Sequence, residues 1–356
     1  MVRIGNIDIG AYPLLLAPME DVSDPPFRAL CKESGADLVY TEFISSEALV
    51  RMADKSLEKL DIYDEERPVG IQIFGAESEP MRQSARIVEA AGPELLDINY
   101  GCPVNKVACK GAGAGILRDI PKMECLTREI VQSTHLPVTV KTRLGWDPAS
   151  IRIEEVALRL QDAGIKALTI HGRTRVQMYQ GEADWEPIAR VAAHPGIEIP
   201  IFGNGDVDSP QKALQMKTLY PEISGIMIGR AAIGYPWIFR EIQHFLRTGE
   251  LLEPPSVHER VQMCRRHLLM SVTWKGERAA ICEMRRHYPA YFRSLAHFKP
   301  YRIRLVTSED LGEIFGLLDE IAGIQPGALP PDAAPEAAHH IRAGRSVRHK
   351  LRLAAA

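Results

Sequence analysis

The residues able to do chemistry fall in a few short segments. Cys102 stands in Asn99-Tyr-Gly-Cys-Pro-Val-Asn-Lys106, a turn-rich stretch followed by Gly111-Ala-Gly-Ala-Gly115. A thiol with an ordinary pKa of about 8.5 is mostly protonated at neutral pH. Cys102 can therefore act as a general acid, act as a nucleophile, or stand as an inert small residue in a turn. The glycine run lacks the GxGxxG spacing of a dinucleotide fingerprint and reads as a flexible joint. Lys141 ends the run Val138-Thr-Val140, where its ammonium can stabilise a developing anion or pair with a carboxylate. Gln72 and His171 end two similar runs, so one mouth could present Gln72, Lys141 and His171 to a flat heteroaromatic ring. Ile201-Phe-Gly-Asn-Gly-Asp206 and Ile226-Met-Ile-Gly-Arg230 are glycine-bearing ends of two more. Without a Cβ, backbone N–H groups can approach phosphate oxygens, and Arg230 can add a charge-assisted bond. Plain tight turns are the alternative there.

Positioning these residues takes a regular scaffold. Eight short apolar runs precede them: 14–20, 36–43, 68–75, 95–101, 137–143, 167–173, 199–206 and 225–230. Amphipathic stretches separate them, as in Ser78 to Ala91, where Met81, Ala85, Val88 and Ala91 recur at helical spacing. Strands alternating with helices imply βαβ units and a parallel sheet. Eight units in this length predict a (β/α)8 TIM barrel, with a doubly wound sheet as the alternative. A barrel would gather Met19, Glu42, Gln72, Asn99, Lys141, Arg143, His171, Arg173, Asn204, Asp206 and Arg230 on its C-terminal rim. Residues 1–12 read as a short hairpin before the first strand.

Beyond about residue 241 the strand signals stop, and a smaller all-helical domain is predicted over 241–325, after a barrel over 1–240. Val261, Cys264, Leu268 and Val272 follow helical spacing. Residues 259–304 hold eleven Lys/Arg against three acids, a local +8 inside a chain of net charge −3. Trp274, Tyr288, Tyr291, Phe292, Phe298 and Tyr301 interleave with these charges, as bundle core or as base-stacking platforms. Residues 326–356 read as a mobile tail.

Composition narrows the class. The chain has 356 residues, 46% of them hydrophobic, and a mean hydropathy of −0.12. No run is long enough to cross a bilayer, and no basic-then-apolar leader opens the sequence. Six cysteines without a CxxC pair predict reduced thiols in a cytoplasmic protein without a zinc finger. Cys31, Cys125, Cys264 and Cys282 read as core fillers.

Taken together, the segments resemble the tRNA-dihydrouridine synthases, nearest the bacterial DusB-type branch. The resemblance rests on Ala17-Pro-Met-Glu-Asp-Val-Ser-Asp-Pro-Pro-Phe-Arg28, Asp97-Ile-Asn-Tyr-Gly-Cys-Pro-Val-Asn-Lys-Val107, Val140-Lys-Thr-Arg143, Ile170-His-Gly-Arg173, and the two glycine loops. It is close over residues 10–240 and continues weakly through Glu283-Met-Arg-Arg286. It implies a barrel enzyme that reduces a tRNA uridine, in the D-loop, to 5,6-dihydrouridine. FMN would be the cofactor and NADPH its reductant, with NADH possible; tRNA is the implied partner, no metal is, and a monomer is expected. Hydride would pass from the reduced flavin to uracil C6, with Cys102 protonating C5 and Lys141 stabilising the anionic flavin. Pro18, Met19 and Glu20 would hold the flavin by backbone contact, with Gln72, Lys141 and His171 beside it. Asn204, Gly205, Asp206, Gly229 and Arg230 would take its phosphate end. Asn99, Lys106, Arg143 and Arg173 would face the uridine, and Arg285 and Arg286 the tRNA. Relatives often have Ala-Gly where Glu20-Asp21 stands, so a Glu20 side chain aimed at the flavin would disfavour its anionic form. A small-molecule FMN barrel oxidoreductase of the dihydroorotate dehydrogenase type and a non-catalytic tRNA-binding protein are the alternative readings.

Overall fold

The computed structural model describes residues 1–323; the expected tail at 326–356 lies outside them. The eight barrel strands are β1 (Leu14–Leu16), β2 (Val39–Tyr40), β3 (Val69–Phe74), β4 (Leu95–Tyr100), β5 (Val138–Arg143), β6 (Ala167–His171), β7 (Ile201–Asn204) and β8 (Gly225–Ile228). They run parallel in the order β1-β8-β7-β6-β5-β4-β3-β2. A bridge from Leu15 to Leu38 joins β1 to the stretch leading into β2. The circle is therefore nearly closed, and a doubly wound sheet is excluded. The run at 36–43 yields only the two-residue β2, and Ile44–Ser45 pairs further along β3.

The strands alternate with period two. Leu14, Leu16, Leu96, Ile98, Val138, Val140, Leu168, Ile170, Ile226 and Ile228 point outward into the helices. Leu15, Tyr40, Leu95, Ala167, Phe202 and Met227 point inward, where they form a separate cluster with Ile4 and Ile9. Ile4 belongs to the N-terminal hairpin, Arg3–Ile4 against Ile7–Asp8. That hairpin plugs the barrel's N-terminal end. Burying each large aliphatic side chain contributes about 1.5–3 kcal/mol.

Connecting helices form where the pattern predicts them. Ser78–Ala91 is helical with Met81, Ala85, Val88 and Ala91 buried, and Gly92 ends it in the left-handed region. Ser-Asp-Pro-Pro starts another: the Asp24 carboxylate caps Phe27 N–H at 2.9 Å and proline occupies the first turn of Pro25–Glu33.

The helix Ile238–Thr248 runs through residue 240, and its Ile238, Phe239 and Ile242 join the barrel core. This helix crosses the expected boundary at 240/241, and the helices of the expected C-terminal domain follow from Val257–Lys275. Its core contains Val261, Cys264, Leu268, Met284, Tyr288, Tyr291, Phe292, Leu305, Ile314 and Leu317. Tyr288, Tyr291, Phe292 and Phe298 are thus bundle core rather than stacking platforms. Cys31 and Cys264 are buried fillers as expected, but Cys125 and Cys282 lie on exposed helix faces.

The two parts dock through the segment after β1. Lys275 reaches Asp24 at 2.6 Å, both largely buried. Arg286 pairs with Asp21 at 2.8 Å and Arg266 with Glu33 at 2.6 Å. Trp274 donates to Asp61 at 3.0 Å, and Phe27 stacks on His267. Burial alone would push the Asp24 carboxyl up, but Lys275 and His267 outweigh it and hold it below its ordinary value. Lys275→Ala leaves that carboxylate buried without its cation, and should lower stability by about 3 kcal/mol in urea unfolding. A change under about 0.5 kcal/mol would mean that the domains are held together elsewhere.

Candidate active site

The inward phase of the strands turns polar near their C-terminal ends. Asp97 and Asn99 follow Leu95 at two-residue steps on β4, and Lys141 and Arg143 follow Thr139 on β5. The ladder sets Asn99 beside Lys141, Arg143 beside His171, and His171 beside Asn204. Residues far apart in sequence thereby share one mouth.

Lys141 is half-buried, and among the described residues its ammonium makes no hydrogen bond or ion pair. Burial and the charge of Arg143 pull its pKa down to about 8. The Cys102 thiol is buried. Burial pushes its pKa up, against the pull of the Val104 N–H and the charges of Arg143 and Lys141. At neutral pH it is a protonated thiol facing two cations. Burial and the surrounding Lys141, Arg143, Arg173 and Arg230 drive the His171 pKa well below its usual value, so its imidazole is neutral.

The loop carrying Cys102 is held from several sides. Asn99 Oδ1 accepts the Gly101 and Cys102 N–H groups at 3.0 and 2.8 Å. Arg143 Nε donates to Gly101 O at 2.8 Å, and Ala114 N–H to Cys102 O at 3.0 Å. The glycine run is not a flexible joint: Gly113–Arg118 is a 3-10 helix whose first five residues are buried under this loop. A Cβ on Gly115 would lie 2.2 Å from Ala108 O, so the close approach requires glycine.

At the ends of β7 and β8, the N–H groups of Gly205, Asp206, Gly229 and Arg230 find no protein acceptor among the described residues. Arg230 is exposed beside them. The Asp206 carboxylate does not face that cradle as a ligand. It binds Arg173 at 2.7 and 3.0 Å and Arg230 at 3.2 Å, and accepts the Ala183 N–H. Asn204 is likewise committed by its side chain, donating to Met227 O at 2.8 Å.

Several of the expected site residues already carry internal hydrogen bonds. Arg173 is buried, and Asp206, Gln180 O and Gly181 O take up its guanidinium, so it clamps a loop. Gln72 is fully buried with both ends of its amide hydrogen-bonded, to Asp97 and Asn99. Asn99 uses its amide the same way. The Met19 N–H and carbonyl close their own turn with Ser23, and Pro18 has no N–H. Glu20 turns its carboxylate to Lys59 at 2.6 Å. Arg143 spends Nε and Nη1 on carbonyls, leaving Nη2 without a partner among the described residues. Lys106 is exposed on the short helix Asn105–Ala108. Arg285 donates to Ser308 O and Arg286 to Asp21 O, so both serve internal contacts.

Other residues at the mouth went unread in the sequence. Tyr179 is 54% exposed, its ring 4.9 Å from the Arg230 guanidinium. Arg175 bonds Asn105, linking the loops after β6 and β4. Glu20, Asp21 and Glu42, which the sequence did single out, cluster with Lys59 beside them, and burial above all lifts the Glu42 carboxyl to about 7. Asp97 lies buried under Gln72.

The family model described as Dihydrouridine synthase (Dus) matches residues 15–321, nearly the whole described chain. The chain belongs to the dihydrouridine synthase family. It is 39% identical over 310 residues to the tRNA-dihydrouridine synthase B of Pseudomonas putida, covering 87% of this chain and 90% of that one. To the tRNA-dihydrouridine synthase B of Escherichia coli K12 it is 38% identical over 312 residues, covering 88% and 96%. A histamine dehydrogenase structure from Rhizobium sp. 4-9 shares the fold at 13% identity and TM-score 0.50, over 74% of this chain and half of that longer one. As a dihydrouridine synthase the protein is an oxidoreductase of the flavin-dependent class. The mouth fits a ring cofactor with a phosphate: an unpaired ammonium at one side, and four free N–H groups with an arginine at the other. Among the described residues no helix is long and apolar enough to cross a membrane.

Gly205 has φ +129°, and a Cβ there would lie 2.6 Å from Ala183 Cβ. Gly205→Ala in this synthase should cost about 1–3 kcal/mol of stability. An unchanged urea midpoint would mean that the β7 loop relaxes freely.

Proposed function

We propose that this synthase reduces the C5=C6 bond of one uridine in tRNA to 5,6-dihydrouridine, with FMN as resident cofactor and NADPH as its reductant. The tRNA substrate follows the family and the relatives' names. The backbone N–H groups of Gly205, Asp206, Gly229 and Arg230, with the Arg230 guanidinium, would hold the FMN phosphate. Asp206 would orient Arg230, and neutral His171 would stand nearby without adding charge. Lys141 would sit against the ring. Bound and reduced, FMN supplies the hydride that the uracil C6 receives.

The chain's own residues do the rest. Saturating C5=C6 requires a proton on C5 as well as the hydride on C6. Cys102 gives it from a thiol that burial keeps protonated at neutral pH. The Lys141 and Arg143 charges then favour the thiolate left behind. Arg143 Nη2 is free to meet a uracil carbonyl. A uracil inside folded RNA must first swing out of its stack, and Lys106 stands on the rim to meet the backbone.

Shape and phosphates of the tRNA would be read by the helical domain. Arg285 and Arg286 are occupied internally, so the contact falls to exposed Arg278, Arg293, Lys299 and Arg302, which form no ion pair among the described residues. Lys299 and Arg302 lie three apart on the helix Lys299–Thr307 and share a face. A D-loop uridine is the proposed target.

The observation that carries this reading is a protonated thiol and an unpaired ammonium in one mouth, beside free N–H groups. The holoenzyme with NADPH and unmodified tRNA should add two hydrogens to one uridine, read by mass mapping; no such product overturns it. Cys102→Ala should slow this by about 10²-fold with flavin still bound; an unchanged rate would remove the thiol from the mechanism. Replacing Lys299 and Arg302 by Ala should reduce the slope of log affinity against log salt by about 2. An unaltered slope would place the RNA on another face.

A further inference from the structure

Behind Cys102 lies a buried line of polar side chains. The Gly101 and Cys102 N–H groups donate to Asn99 Oδ1 at 3.0 and 2.8 Å. Asn99 Nδ2 donates to Gln72 Oε1 at 2.8 Å. Gln72 Nε2 donates to Asp97 Oδ2 at 2.5 Å, and the Thr139 hydroxyl donates to Asp97 Oδ1 at 2.5 Å. Gln72, Asp97, Asn99 and Thr139 are all buried. Both ends of the line have a fixed sense. A backbone N–H can only donate, and an ionised carboxylate can only accept. Each amide between them is thus held in one of its two orientations.

We propose that Asp97 is a positioning residue for proton delivery: its carboxylate, acting through Gln72 and Asn99, fixes where the Cys102 backbone and thiol sit. If Gln72 turned its amide over, its nitrogen would face Asn99 and demand the oxygen that now holds the loop. The Gly101 and Cys102 N–H groups would then meet an NH2 group and lose their anchor. Asp97 prevents this by accepting at the far end without touching uracil or flavin. Burial lifts its pKa to about 6 against the pull of Gln72, Thr139 and Lys141, which leaves it mostly ionised at neutral pH. The proposal rests on the reading of Cys102 as proton donor, and its test separates the two.

The test is to move the carboxylate along the line. Asn99→Asp keeps an acceptor for the two N–H groups but sets a second carboxylate against Gln72 Oε1, and one amide cannot donate to both ends. Adding Asp97→Asn supplies an NH2 at the far end, so Gln72 can turn over and every group is again satisfied, with the same total charge. Single-turnover dihydrouridine formation should fall about 10²-fold in Asn99→Asp, with KM for tRNA unchanged. The Asp97→Asn/Asn99→Asp double variant should recover most of the loss. Alkylation of Cys102 by iodoacetamide, followed at its own peptide, should change in the single variant and return toward the native rate in the double. That readout reports thiol position whatever the thiol does chemically. Recovered alkylation without recovered turnover would therefore uphold the relay and count against Cys102 as donor. A double variant no better than the single in alkylation overturns the relay. Should Asn99→Asp fail to fold, Asp97→Leu against Asp97→Asn gives the same contrast: the first removes the acceptor for Gln72, the second keeps one. Equal alkylation rates in that pair would likewise overturn it.

Discussion

A closed barrel of eight strands has room inside for only every second side chain, and the site depends on that constraint. The outward phase must be apolar because helices cover it, as Leu96, Ile98, Val138 and Val140 show. The inward phase must fill a narrow interior at the N-terminal end and is free to be polar near the mouth. Leu95, Asp97 and Asn99 on β4 make that transition within three steps of one phase. Thr139, Lys141 and Arg143 on β5, and Ala167, Thr169 and His171 on β6, make it in parallel. A one-residue slip in any strand would send these groups into the helix layer and aliphatic residues into the mouth. Fold and site are therefore set by the same alternation.

That alternation explains how much was legible in the sequence. Strand-end polar residues after apolar runs could be read directly, and the eight runs mark the eight strands. The helical pattern of Ser78 to Ala91 needed only its own spacing. Long-range commitments were not legible. Nothing local to Arg173 says that Asp206, just past the next strand, and two carbonyls of its own loop will use up its guanidinium. Nothing near Gln72 says that Asp97 and Asn99 will take both ends of its amide. A residue type shows what a group can bind; only tertiary packing shows what it has already bound. Asp97 was the one signal within reach, since it shares the inward phase with Asn99.

The same distinction governs the basic segment. Counted in sequence, residues 259–304 carry a large positive excess, but folding spends much of it. Arg265 pairs with Asp319 inside the helical core, Lys275 with Asp24, Arg286 with Asp21 and Arg266 with Glu33. The last three pairs dock the helices on the barrel. Net charge of a segment is thus a poor measure of its external field when its partners are acids of another domain.

Electrostatics around His171 are dominated by burial and by cations. Arg143, Lys141, Arg173 and Arg230 surround His171, and in that company a further proton on the imidazole is strongly disfavoured. Asp206 satisfies two of the arginines from one side. Burial and the charge of Arg143 lower Lys141 to about 8 against the opposing pull of Asp97. A site with surplus positive charge, free N–H donors and few acceptors is preorganised for an anion. The buried thiol stands out against that background, since the nearby cations favour its thiolate while burial opposes it. The balance lies on the protonated side, the state that the proposed acid role of Cys102 requires.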